Sequence, residues 1–319
     1  MNFAGKWSGL MRGFILLSVC AIAAPAVSEP RSQDLQLKYL GAAGWEIRSA
    51  DTVVLVDPYI SRIKYDGRRR DDDPRRDFAM TDQPLSDHQL IDKLVTRADF
   101  ILVHHNHVDH VIDVPYIAKK TGAKVIGTET TKNILLSYGI PEQQLYAVQG
   151  GEDYQFGAFS VRVVPSLHSA LGEKRYFSSK RYAQPLQNPL QLSDFIEGGS
   201  LMYLLRMGGR EVLTMGSMNF IERELQGLRP DVLLAGAGSS RTEIYRYTER
   251  LLAATGYPKV VIPTHWDDFF VPYQNEAAQA RAREEKAYPF VREVAGASPK
   301  SKVIVPVHLE PIFVGGRTE

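Results

Sequence analysis

A single cysteine, Cys20, occurs among the 319 residues. It lies in an N-terminal stretch with the look of a removable signal, so the remaining chain can form no disulfide and offers no thiolate to a metal. Charge of one sign is missing as well. A net charge of +1 gives no electrostatic case for a nucleic-acid partner or an anionic membrane, and none is expected. The apolar run from Gly13 to Ala24 is too short for a comfortable membrane span. Internal repeats and low-complexity linkers are also absent, so residues 31–319 read as one domain. Hydrophobic residues at 44% and charged residues at 24% suffice for an ordinary globular core.

Lys6 and Arg12 precede the short apolar run, and Ala24-Pro25-Ala26 follows it. That is the layout of a secretory signal. Residues 1–28 are read as a signal peptide, cleaved after Ala26 or Ser28, and the protein as exported to the periplasm or beyond. A retained N-terminal anchor is the alternative.

The rest of the chain is organised around His104-His105-Asn106-His107-Val108-Asp109-His110. Phe100 to Val103 before it reads as a buried strand, and Val111, Val114 and Ile117 after it fall at helical spacing up to Gly122. Imidazoles and a carboxylate crowded onto a strand-to-helix turn are costly unless a cation binds them. Four histidines in seven residues therefore point to a divalent metal rather than to a His-rich surface loop.

Around this turn the pattern alternates between strands and helices. Leu35, Leu37 and Tyr39 begin a strand, and Thr52 to Val56 forms another that ends at Asp57-Pro58. Asp57 either orients a metal-bound histidine or caps the turn. Residues 61–78, with Arg68-Arg69-Arg70-Asp71-Asp72-Asp73, read as a solvated loop, the alternative being a lid over an anion. Ser86 with Gln89 predicts a capping box for a helix to about Val95. Phe159 to Val164 leads to His168, and Lys259 to Pro263 leads to His265-Trp266-Asp267.

Residues 169–197 form an irregular insertion. Its aromatics, including Tyr176, Phe177, Tyr182 and Phe195, either line a pocket or fold the loop onto the core. Asn275 to about Ala287 reads as a polar helix and Val303 to Val307 as a closing strand. Three strand ends thus deliver histidines that a shared sheet edge could gather. His88 and His308 read as structural or exposed, and His104, by strand alternation, should point away from His105.

His105-Asn106-His107-Val108-Asp109-His110 resembles the HxHxDH signature of the metallo-β-lactamase superfamily. Leu40-Gly41-Ala42-Ala43-Gly44-Trp45 and Leu55-Val56-Asp57-Pro58 look like its opening strands, particularly in the branch of ascorbate-phosphate lactonase-like proteins. The resemblance covers about residues 35–310. It implies an α/β fold, a four-layer αββα sandwich, with a dinuclear site at one edge. It implies that His105, His107 and His168 hold one metal and that Asp109, His110 and His265 hold the other. Where the family commonly has a bridging Asp, this chain has Ser217, which makes the second site the weaker one.

Imidazole with carboxylate oxygen suits zinc best, with manganese or iron as alternatives. A metal-bound water brought towards a pKa of about 7 would serve as hydroxide nucleophile on a lactone, amide, ester or phosphodiester. Asp109 would both bind metal and orient that water. Tyr176, Phe177 and Trp266 are pocket candidates, and His104, Asp267 and Asp268 are possible helpers that also read as structural. The expected partner is a small-molecule substrate, and oligomeric state is not legible. A non-hydrolytic metal-binding or redox protein on the same fold is the second function class, because fold does not fix function.

Overall fold

The computed structural model describes residues 1–2, 35–65, 73–171, 174 and 180–315. Apart from its first two residues, the expected signal peptide lies outside them, as do Arg68 to Asp72, Tyr176 and Phe177.

Six strands open the chain: β1 (Leu35–Gly41), β2 (Gly44–Ser49), β3 (Thr52–Val56), β4 (Phe100–Leu102), β5 (Lys124–Gly127) and β6 (Leu145–Ala147). Seven more follow: β7 (Asp153–Phe156), β8 (Phe159–Ser166), β9 (Ser200–Met207), β10 (Arg210–Met215), β11 (Val232–Gly236), β12 (Val260–Thr264) and β13 (Lys302–Val303). β14 (Pro311–Val314) closes the described chain. They form two seven-stranded sheets, ordered β14-β1-β2-β3-β4-β5-β6 and β13-β12-β11-β10-β9-β8-β7. In each, three antiparallel pairings pass into three parallel ones.

Period-two alternation explains why the sheets stack. Val54, Val56, Phe100 and Leu102 face the second sheet and share a core with Val161, Val163, Leu205 and Val212. Their neighbours Val53, Leu55, Ile101 and Val103 face the opposite side. There they pack under Ile91 of helix α1 (His88–Leu94), and under Ile117 and Ile134 from later helices of the same layer. On the far side of the second sheet, Leu251, Leu252, Phe290 and Val294 provide the other helical layer. The result is the expected α/β sandwich of four layers.

Several local expectations shift. The α1 cap is Asp87, whose side chain accepts from Leu90 N; Ser86 instead donates to the Ile112 carbonyl at 3.0 Å. The helix after the histidine cluster is two pieces, α2 (Val108–Val111) and α3 (Val114–Thr121), the second stopped by Gly122 at φ 73°. The next helix, α4 (Glu129–Ser137), is capped by Thr128, whose side chain accepts from Thr131 N. Short α5 (Glu222–Leu225) precedes α6 (Tyr247–Ala254).

The polar helix does not end at Ala287. α7 (Glu276–Ala282) continues through a π-helical turn, Arg283–Ala287, into α8 (Tyr288–Ala297). Pro289 follows just after the π-helical turn. The closing strand is only Lys302–Val303, and β14, which the sequence pattern did not reveal, pairs with β1 at the other sheet's edge. Among the described residues no helix is long and apolar enough to cross a membrane.

Candidate metal centre

The C-terminal ends of five strands meet where the two sheets adjoin. β3 delivers Asp57, β4 the histidine cluster, β8 His168, β10 Ser217 and β12 His265. Openings beyond the carboxyl ends of parallel strands are the usual place for a site in such sheets. The structure gathers the expected residues into two sets of three, His105/His107/His168 and Asp109/His110/His265. Within each set the donor atoms lie within 4.8 Å of one another.

Local backbone explains how. His107 is the extended N-cap of α2, so Asp109 and His110 fall in that helix's first turn. Asn106 braces the turn, its backbone N–H and its side-chain amide both donating to the Glu197 carbonyl at 2.9 and 3.0 Å. His265 takes a left-handed φ of 58° and donates its N–H to the Ala42 carbonyl at 2.7 Å. That reversal separates it from Trp266, the expected pocket residue. Trp266 is instead fully buried between the sheets, stacked on Tyr39 at 5.9 Å, and does not line the cavity.

The donor spacing suits a metal ion. A tetrahedral ion with ligands at about 2.0–2.1 Å holds adjacent donors about 3.3–3.4 Å apart. His105 Nε2 and His107 Nδ1 lie 3.1 Å apart. Asp109 Oδ2 lies 3.4 Å from both His110 Nε2 and His265 Nε2. His168 Nδ1 donates to the Ser169 carbonyl at 3.1 Å, which leaves Nε2 as the ring's acceptor. Nitrogen and carboxylate oxygen in these positions fit zinc, and manganese or iron remain compatible.

The two sets differ electrically. Burial, reinforced by the neighbouring rings of His110, His107 and His168, holds His105 well below the usual imidazole range. Burial and His168 push His107 down to about 3, and burial pushes His168 to about 4. These three are therefore neutral, the form that ligates. In the other set burial opposes charge on His110, yet Asp57 and Asp109 outweigh it and raise its pKa to about 10. Burial likewise opposes the charge on Asp109, but His110 and His265 hold its pKa well below the carboxylate range. The carboxylates that draw a proton to His110 would draw a metal cation to the same nitrogen.

Asp57 sits behind this set. Fully buried, it accepts from His104 N at 2.8 Å, His104 Nδ1 at 2.6 Å and His110 Nδ1 at 2.5 Å. Burial works against its charge, but His104 and His110 bring its pKa down to about 2. Of the two roles open to it, the contact with His110 Nδ1 suits the orienting one. It fixes His110 with Nε2 towards Asp109. His104, pointing away from His105 as expected, donates to Asp57 and meets Thr214 Oγ1 at 2.8 Å, a structural role. Asp57→Asn should lower metal affinity by about 10–100-fold, the usual cost of losing such a partner. Chelator competition checks this, and an unchanged affinity would remove Asp57 from the site.

Ser217 lines the cavity, and its hydroxyl is tied to Ser169 N at 3.0 Å and Ser169 Oγ at 2.8 Å, bracing the segment after His168. Phe195 is buried and lines the cavity, whereas Tyr182 packs into the outer core. His88 is exposed and stacks on Tyr116. Asp73 and Arg75 dock one end of the charged segment, with Arg75 donating to the Arg62 and Phe270 carbonyls at 2.6 Å each.

Sequence reasoning missed Arg62, which is 1% exposed and paired with fully buried Asp267 at 2.8 Å. Asp267 Oδ1 also accepts from Ala42 N at 2.9 Å, beside the hydroxyl of Tyr39, and His308 Nε2 lies 3.1 Å from Oδ2. Asp267 is thus structural, holding the turn on which His265 is hung. A lone arginine in a loop carries no sequence pattern that predicts this.

A family model described as a beta-lactamase superfamily domain matches residues 36–265. The chain belongs to the metallo-β-lactamase superfamily. It is 32% identical over 178 residues to a metal-dependent hydrolase of Anaeromyxobacter dehalogenans, covering 54% of this chain and 60% of that one. The chain thus spans about 60% of the length of the curated relatives it matches first. Among solved structures, a metallo hydrolase from Ignicoccus hospitalis superposes with a TM-score of 0.57 at 19% identity, covering 89% of this chain and 100% of that one. A diiron β-hydroxylase from Streptomyces venezuelae gives 0.52 at 17% identity, covering 90% of this chain and 55% of that one.

Proposed function

We propose that this protein is an exported, metal-dependent hydrolase acting on a small substrate with a lactone, ester, amide or phosphodiester linkage. One observation carries the reading: both three-donor sets open onto a single cavity of about 550 Å³. The relatives named metal-dependent hydrolases support it. A bound divalent ion supplies Lewis acidity and a water acidified to a pKa of about 7.

The chain's own residues do the rest. His105, His107 and His168 present neutral nitrogens to one position. Asp109, placed between His110 and His265, brings negative charge to the other and is the residue best set to orient a nucleophilic water. Asp57 holds His110 in register, and Val108, Leu192 and Phe195 exclude bulk water from one wall.

Zinc is the proposed ion. Because Ser217 brings no carboxylate between the sets, zinc titrated into metal-free protein should give one tight and one weaker step. The loaded protein should then turn over at least one class in a panel of lactones, esters, β-lactams and phosphodiesters, with loss of turnover on chelation. A loaded protein inert to the panel but active in electron transfer would establish the non-hydrolytic reading instead. Export is checked by N-terminal sequencing of the mature protein, where an intact Met1 on a cytoplasmic product would refute it.

A further inference from the structure

The cavity above the donor sets carries a charge that metal binding does not use. Lys286 stands half-buried in its wall. Among the described lining residues it is the one lysine or arginine, and the one carboxylate is Asp109, which belongs to a donor set. Much of the remaining wall is apolar, with Val108, Leu171, Leu192, Phe195 and Phe269.

The backbone puts Lys286 there by an unusual route. It belongs to the π-helical turn Arg283–Ala287 between α7 and α8. Such turns give up regular helical bonds and are frequent at functional sites. One extra residue in a turn rotates the next stretch of helix by about 100° relative to an uninterrupted one. Lys286 Nζ donates to the Asp267 carbonyl at 3.1 Å, which holds the ammonium two residues along the chain from His265. The Asp267 carboxylate is engaged elsewhere, by Arg62, Ala42 and His308.

We propose that the cavity selects an amphiphilic anion: an acyl or alkyl body against the apolar wall and a carboxylate, sulfonate or phosphate group against Lys286. This deepens the hydrolase reading by naming the substrate class, and it rests on that reading only for the position of the cleaved bond. A charge-assisted hydrogen bond at a half-buried site gives about tenfold in affinity.

The test uses matched probes, hexane-1-sulfonate and hexan-1-ol, titrated calorimetrically into zinc-loaded protein. The sulfonate should bind about tenfold more tightly. Lys286→Met should erase that preference while leaving hexanol affinity and zinc content unchanged, and Lys286→Arg should keep it. Equal affinities in the parent would overturn the proposal. So would a preference that survives Lys286→Met, which would place the anion on the metals. Equal weakening of both probes in Lys286→Met would reduce the lysine to a brace for the Asp267 turn. Because binding is read without turnover, an inert protein that shows the preference would sink the hydrolase reading alone.

Discussion

Zinc-reconstituted His107→Ala should lose most of the metal of the His105/His107/His168 position, with the loss confined to that position. His107 stands in the bend between β4 and α2, with its Nδ1 3.1 Å from His105 Nε2. Without it two donors remain, and no nearby side chain of the other set can replace it without breaking that set. The affinity loss should exceed the about 10–100-fold that accompanies removal of an outer partner. Turnover should fall at least as far. Elemental analysis after dialysis reads the outcome, and undiminished metal would refute the ligand assignment. His88→Ala, on an exposed ring stacked against Tyr116, is the control and should retain its full metal content.

The second large effect is on stability. Asp267→Asn leaves the Arg62 guanidinium fully buried opposite a neutral amide, a change that costs about 3–5 kcal/mol. For a chain of this size that corresponds to a fall in melting temperature of roughly 5–8 °C. Metal should be lost selectively from the Asp109/His110/His265 position, since Asp267 holds Ala42 N and the Ala42 carbonyl holds His265 N. Arg62→Met combined with Asp267→Asn should be milder than Asp267→Asn alone, because it removes the stranded charge. A thermal melt unchanged in Asp267→Asn would show that the pair contributes nothing to the fold.

The range of each signal along the chain decides whether the sequence reveals it. The runs Thr52 to Val56 and Phe100 to Val103 are local apolar signals, and strands stand where they were expected; which side chains face the second sheet was not legible from such unbroken runs. The histidine cluster is local too, and the turn it sits on was legible from the strand before it and the helix after it. His168 and His265 were legible as histidines at strand ends, but their approach to the cluster depends on sheet order, which no short stretch encodes. Trp266 was misplaced because alternation cannot foresee the left-handed φ at His265. The π-helical turn and β14 escaped for a related reason: the first interrupts a helical period by one residue, and the second is four residues long. Arg62 reads as an ordinary surface cation until its partner, 205 residues away, is known.

Each donor set takes two members from the turn after β4 and one from the opposite sheet, His168 in one case and His265 in the other. Neither half of the sandwich can complete a site by itself. Metal uptake would therefore depend on assembly: a chain whose sheets have not yet closed offers at most two of these donors to either position. Once filled, each position would tie the two sheets together through side chains from both. A substitution deep in the inter-sheet core, far from any histidine, would then show itself first as weakened metal retention.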